Sequence, residues 1–199
     1  MLLININMIK KNKIKIFLIS LIVVIIFFAL YLLIGNREIN GNKLTYDELE
    51  VQAEEAKTAD DLARLLNENG FKYVKKEGSD AINSDALLKE KRGGKQDFAK
   101  FVASELMKKG FISFVFVYEY EKDEGTGTEY LVSFRDLDLP KYIYFNNSGT
   151  NIDNYGWSFE DICLKEEERL KVKIIRYGTV SPLENNLIPK EWINYKEDE

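Results

Sequence analysis

The stretch Gly93-Gly94-Lys95-Gln96-Asp97-Phe98-Ala99 holds the residues best spaced for chemistry. Two glycines permit a tight turn, and the residues after them open an apolar pattern of helical period. A side chain at such a helix start lies among unpaired N–H groups, which favour negative charge. Lys95 occupies that place, where its charge is mildly unfavourable, while Asp97 suits the first turn and complements the helix dipole. The chain contains no histidine, so there is no imidazole to act as a base near neutral pH. A carboxylate-dependent hydrolase would have to draw on Asp97, Glu129 and Asp136, with two of them facing each other at roughly 5–10 Å. Metal-ligand spacings, a serine elbow and a phosphate loop are all absent from the sequence, and Gly-Gly-Lys alone lacks the Walker spacing. No cofactor and no metal are expected. Cys163, the single cysteine, reads as a small buried hydrophobe.

The elements that would position these residues follow from caps and periodicity. Thr45 and Glu48 have capping-box spacing and open a Glu-rich helix to about Lys57. Thr58 starts a second helix with Leu62, Leu65 and Leu66 on one face, closed at Asn69-Gly70. Phe71 to Val74 is a short extended piece, and residues 84–91 form a brief helix. Phe98, Phe101, Val102 and Leu106 then recur at helical spacing over residues 96–109, up to Gly110. That helix is expected to be the central, buried one. Beyond it the period becomes two: residues 111–121 read as a long strand, followed by a hairpin near Gly125 and Gly127 and strands at 130–135 and 142–145. Residues 146–156 read as a polar loop. Ser158 caps a further helix to about Leu170, and residues 172–177 form a last strand, with the structure of the tail from Ser181 left open. Helices first and an antiparallel sheet after them define an α+β domain.

A glycine turn leading into a buried helix, followed by an antiparallel sheet, resembles the transglutaminase-like branch of the papain-like superfamily. The resemblance covers about Asp60 to Asn147. That family carries a pattern of the form G-x-C-x-D-[FY]-A, and the stretch from Gly93 to Ala99 matches it at the glycine, aspartate, aromatic and alanine. Lys95 stands in the place of the nucleophilic cysteine. The resemblance implies a histidine on the second strand of the sheet, where Thr128-Glu129-Tyr130-Leu131 puts Thr128. It implies an aspartate at the end of the next strand, where Tyr144-Phe145-Asn146 puts Asn146. Thiolate, imidazole and orienting group are therefore all replaced, and cysteine catalysis cannot be assembled. The implied cleft would bind a peptide or glycan beside Asp97, Tyr130 and Tyr144.

Residues 16–34 are an apolar run of about 28 Å as a helix, long enough to span a bilayer. Lys10, Lys11, Lys13 and Lys15 precede it, which orients the N-terminus to the cytoplasm. The run exceeds the apolar core of a signal peptide and lacks a small-residue cleavage pattern. The expected organisation is a basic N-terminus (residues 1–15), an anchor (16–34), a linker (35–44), an extracytoplasmic transglutaminase-like domain (45–180) and a tail (181–199). Formal net charge is −5; without the four leading lysines about −9 remains, a poor match for nucleic acid. The expected function is a non-catalytic, single-pass membrane-anchored binding or scaffold module at the cell surface. The alternatives are the carboxylate-dependent hydrolase, or a structural subunit bound to membrane-protein partners.

Overall fold

The computed structural model describes residues 44–123, 125–135 and 139–196. The predicted basic segment and anchor lie outside these residues, as does Asp136. The described residues belong to one unit that begins at Leu44. Among them are five helices and an antiparallel sheet, the expected α+β class.

Side-chain caps fix the first two helices. Thr45 and Glu48 exchange hydrogen bonds at the start of α1 (Tyr46–Glu55), and Thr58 and Asp61 do the same for α2 (Ala59–Glu68). Each pair satisfies two backbone donors that a helix start leaves open. Leu62, Leu65 and Leu66 of α2 are buried in the core. A short strand, β1 (Lys72–Tyr73), pairs in parallel with β2 (Arg92–Gly93). Between them runs α3 (Ser84–Glu90), capped by Asn83. The central helix α4 (Lys95–Lys108) follows, with Phe98, Phe101, Val102 and Leu106 all buried.

The glycine pair before α4 is demanded by crowding. A side chain at Gly93 would meet Asp97 and Leu87 at 2.9 Å, and one at Gly94 would meet Gln96 at 2.3 Å and Lys76 at 2.8 Å. Both approaches are closer than carbon atoms tolerate without displacement.

The sheet is ordered β6-β5-β4-β3-β7-β8. Its strands are β3 (Ile112–Lys122), β4 (Gly125–Arg135), β5 (Pro140–Asn146), β6 (Gly149–Asn154), β7 (Lys173–Val180) and β8 (Ile193–Asn194). Val115, Val117, Tyr130, Val132, Ile143 and Phe145 face the N-terminal helices in one core. Phe116, Tyr118, Leu131, Tyr142 and Tyr177 face α5 (Phe159–Leu170) in a second, around Ile162 and Cys163. Two apolar faces explain why β3 alternates without a polar side: each set of side chains meets a helix layer.

One finding departs from the sequence reading, and another fills a part that it left open. Residues 149–154 are a strand and not a polar loop, because Gly149 to Asn154 pairs with β5 along its whole length. The tail closes on the unit: Leu187 is fully buried, and its N–H donates to Ser79 while Asn185 accepts from Ala81.

The partners of β4 are unequal. It pairs with β3 from end to end, Ile112 opposite Arg135 and Lys122 opposite Gly125. With β5 it pairs only from Val132 to Arg135. Beyond Val132 the two strands part, and β5 continues with β6 alone to Asn146. On the outer side of β6, Asn67 of α2 donates to the Thr150 carbonyl at 2.9 Å and accepts from the Thr150 N–H at 2.7 Å. A side-chain amide there takes the place of a neighbouring strand.

Candidate functional site

Where β4 leaves β5, a cleft of about 930 Å³ opens beside the start of α4. One wall is the β4 segment from Thr126 to Tyr130, another is the loop from Tyr73 to Ser79, and Leu187, Ile188 and Trp192 of the tail border it. Lys95 and Gln96 bring the first turn of α4 to the cleft.

At the head of the cleft Lys95 is tied to Glu129. Lys95 Nζ donates to Glu129 Oε1 at 2.5 Å and Oε2 at 2.6 Å. Glu129 is only 8 % exposed. Burial raises its pKa, and the Lys95 and Arg169 charges partly oppose that rise. The pair joins a helix terminus to a strand 34 positions further along. Its cation sits at the positive end of the helix dipole, so Glu129 also offsets an unfavourable placement.

The other residues of interest divide into those on the cleft and those turned away from it. Thr128 and Tyr130 line it with Lys95. Asn147 lines it too, whereas Asn146 folds back on its own turn, its Oδ1 accepting from the Ser148 N–H at 2.8 Å and from Asn151 Nδ2 at 3.3 Å. The β4–β5 register, continued past Val132 and Ile143, sets Glu129 and not Thr128 opposite Asn146. Asp97 is 2 % exposed and fully engaged: Oδ2 accepts from the Gly94 N–H at 2.6 Å, and Oδ1 from the Ile82 N–H and Lys76 Nζ, both at 2.8 Å. Those bonds make it a cap for α4 and a clasp for the preceding loop. Tyr144 faces the α5 layer, with the Arg169 guanidinium 4.3 Å from its ring centre. Asp97 and Glu129, the two hydrolase candidates within the described residues, are each committed to a cation.

Two features were missed by the sequence reading. On the cleft floor Arg176 of β7 forks onto Glu119 at 2.7 and 3.0 Å and stacks on Trp192 at 4.5 Å. Beneath Glu129, the fully buried Glu166 accepts from the Tyr118 hydroxyl at 2.7 Å and pairs with Arg169. Burial, with Glu166 beside it, pushes the Tyr118 phenol well above its usual range. Helical spacing predicts the Glu166–Arg169 contact, but nothing in the sequence announces its partner on β3.

Among the described residues no group of three or more His, Cys, Asp or Glu side chains is arranged to hold a metal ion. No helix among them is long and apolar enough to cross a membrane. No protein-family model matches the chain, and neither does any curated protein or solved structure.

Proposed function

We propose that the chain is a membrane-anchored, extracytoplasmic binding module built on a transglutaminase-like scaffold that performs no catalysis. The observation that carries this reading is the Lys95–Glu129 ion pair at the head of an open cleft. A nucleophile at a helix start needs a free side chain and a base beside it. Here the side chain at the helix start is held by Glu129, Thr128 at the base position carries a hydroxyl that cannot serve as a base near neutral pH, and the cleft beside them stays open. The absence of histidine from the whole sequence supports the same reading. The anchor rests on the apolar run at 16–34 and the lysines before it.

The test pairs chemistry with binding. Purified full-length protein in detergent is incubated with a glutamine-containing protein and a fluorescent primary amine, and incorporation is followed over hours. The expected result is incorporation equal to a blank. Amine transfer that disappears in Lys95→Ala or Glu129→Gln would sink the non-catalytic reading. Ligand capture is read from Trp192 fluorescence in a Trp157→Phe background, since the chain has only two tryptophans.

A further inference from the structure

The parting of β4 from β5 leaves a vacant lane along a strand, and the direction of the backbone groups in that lane can be worked out. In an antiparallel pair, residues turn their N–H and C=O alternately toward one neighbour and the other. Ile175 of β7 gives its carbonyl to the Tyr195 N–H on the β8 side. Ile175 is the extra residue of a bulge against β3, but the ladder to β8 is unshifted, so Tyr177, opposite Ile193, faces β8 as well. Arg176 and Gly178 therefore turn toward β3 in alternation, bonding to Glu119 and Val117, their register partners. Glu119 and Val117 thus face β7, so Thr128 and Tyr130, opposite them on β4, face away from β3. The same alternation applies to Thr126. At these three residues the N–H and C=O groups are directed to the side where β5 is missing, and all three line the cleft.

We propose that the cleft takes an extended polypeptide segment of a partner protein, which adds as a strand to the free edge of β4 from Thr126 to Tyr130. The proposal rests on the binding reading above and names the ligand class for it. A row of alternating donors and acceptors matches the backbone of a peptide, and strand addition uses that match for affinity. Residues 126–130 give a lane of about 17 Å. Alternate side chains of the entering strand would lie over Tyr130 on the α4 side of the sheet. The intervening ones would meet Glu129 and the ring of Tyr120, which lies close over Gly127. Unlike β6, whose Thr150 is occupied by Asn67, this edge has no strand beside it among the described residues.

The test uses full-length protein in detergent micelles and a display library of random heptapeptides. A retained peptide is synthesised and titrated while amide exchange is followed by NMR. The Thr128 and Tyr130 amides should slow by about tenfold or more, while those of Gly127 and Glu129, already given to β3, should not change. Thr128→Pro removes the central donor from an edge position that tolerates proline and weakens binding roughly 5- to 10-fold. Thr128→Val keeps the donor and binds as the parent does. Should the proline variant fail to fold, replacing the peptide's amides one at a time by esters reads the same ladder, with losses expected at every second position. The proposal is overturned if no peptide is retained, if Thr128 and Tyr130 exchange as before, or if ester losses show no alternation. Soluble β-1,4-linked oligosaccharides form the second arm. Quenching of Trp192 by these sugars without any retained peptide removes the peptide proposal and leaves the binding reading standing; no response to either probe removes both.

Discussion

Replacing Lys95 with alanine isolates the contact that closes the helix start. Glu129 is nearly buried and takes both short bonds from Lys95. Truncation strands its charge, leaving Arg169 as the cation that still opposes its burial. A fully buried, unpaired carboxylate costs about 3–5 kcal/mol. The Lys95 side chain is 31 % exposed, and water from the cleft lowers that cost to about 2–3 kcal/mol. Removing a cation from a helix start returns about 0.5 kcal/mol. The net loss is about 2 kcal/mol, or roughly 4–8 °C in Tm for a unit of this size. The pH dependence has a definite sign. Burial already holds the Glu129 pKa above its ordinary 4.5 in the folded chain, and loss of Lys95 raises it further. A carboxylate whose folded pKa lies above its unfolded value contributes most stability below the unfolded value. That contribution is lost as pH rises through the folded pKa. The deficit of Lys95→Ala is therefore greatest at neutral pH and shrinks as pH falls toward 4.5. Thermal unfolding of the full-length protein, followed by circular dichroism across that range, measures it. Lys95→Ala combined with Glu129→Gln should recover most of the neutral-pH loss. A single variant that melts like the parent at pH 7, or whose deficit ignores acidification, refutes the reasoning.

Two further substitutions or probes address other residues. Asp97→Asn puts an amide group against the donors now supplied by Gly94, Ile82 and Lys76, costing about 2–4 kcal/mol in denaturant unfolding and exposing residues 76–82 to protease; an unchanged midpoint would contradict its capping role. Cys163 is fully buried, with its thiol pKa raised by burial, so a thiol reagent should label it only as fast as the chain unfolds, and prompt labelling of native protein would place it elsewhere.

Local rules made much of the fold legible. Thr45, Thr58 and Ser158 announced their helices because a cap is a contact between residues three apart. The aromatic and valine run of β3 announced a long strand, while the burial of both its faces is seen only in the packing. The edge strand β6 was hidden, since Thr150, Asn151, Asp153 and Asn154 have turn composition, and what holds them is pairing to β5 and the reach of Asn67. The site was legible at one end only. Periodicity marks the start of α4, but the partner of Lys95 depends on how the sheet is seated against that helix. Tyr144 shows the same limit: its alternation with Ile143 and Phe145 is plain, yet only the packing reveals that Tyr144 takes the α5 side. The vacant lane beside β4 depends on where pairing stops, and no residue spacing encodes that.

Asn67 also sets the valency of the sheet. Edge-to-edge growth needs each molecule to accept a strand at one border and offer another onward. At Thr150 the outer border is taken by a side-chain amide, and β8 at the far end has only two residues to offer. The edge of β4 is recessed within the cleft, between the loop at 73–79 and the tail. Among the described residues there is then one seat for an incoming strand and no full-length border to hand on, which makes this unit an end point for strand addition and not a link in a chain.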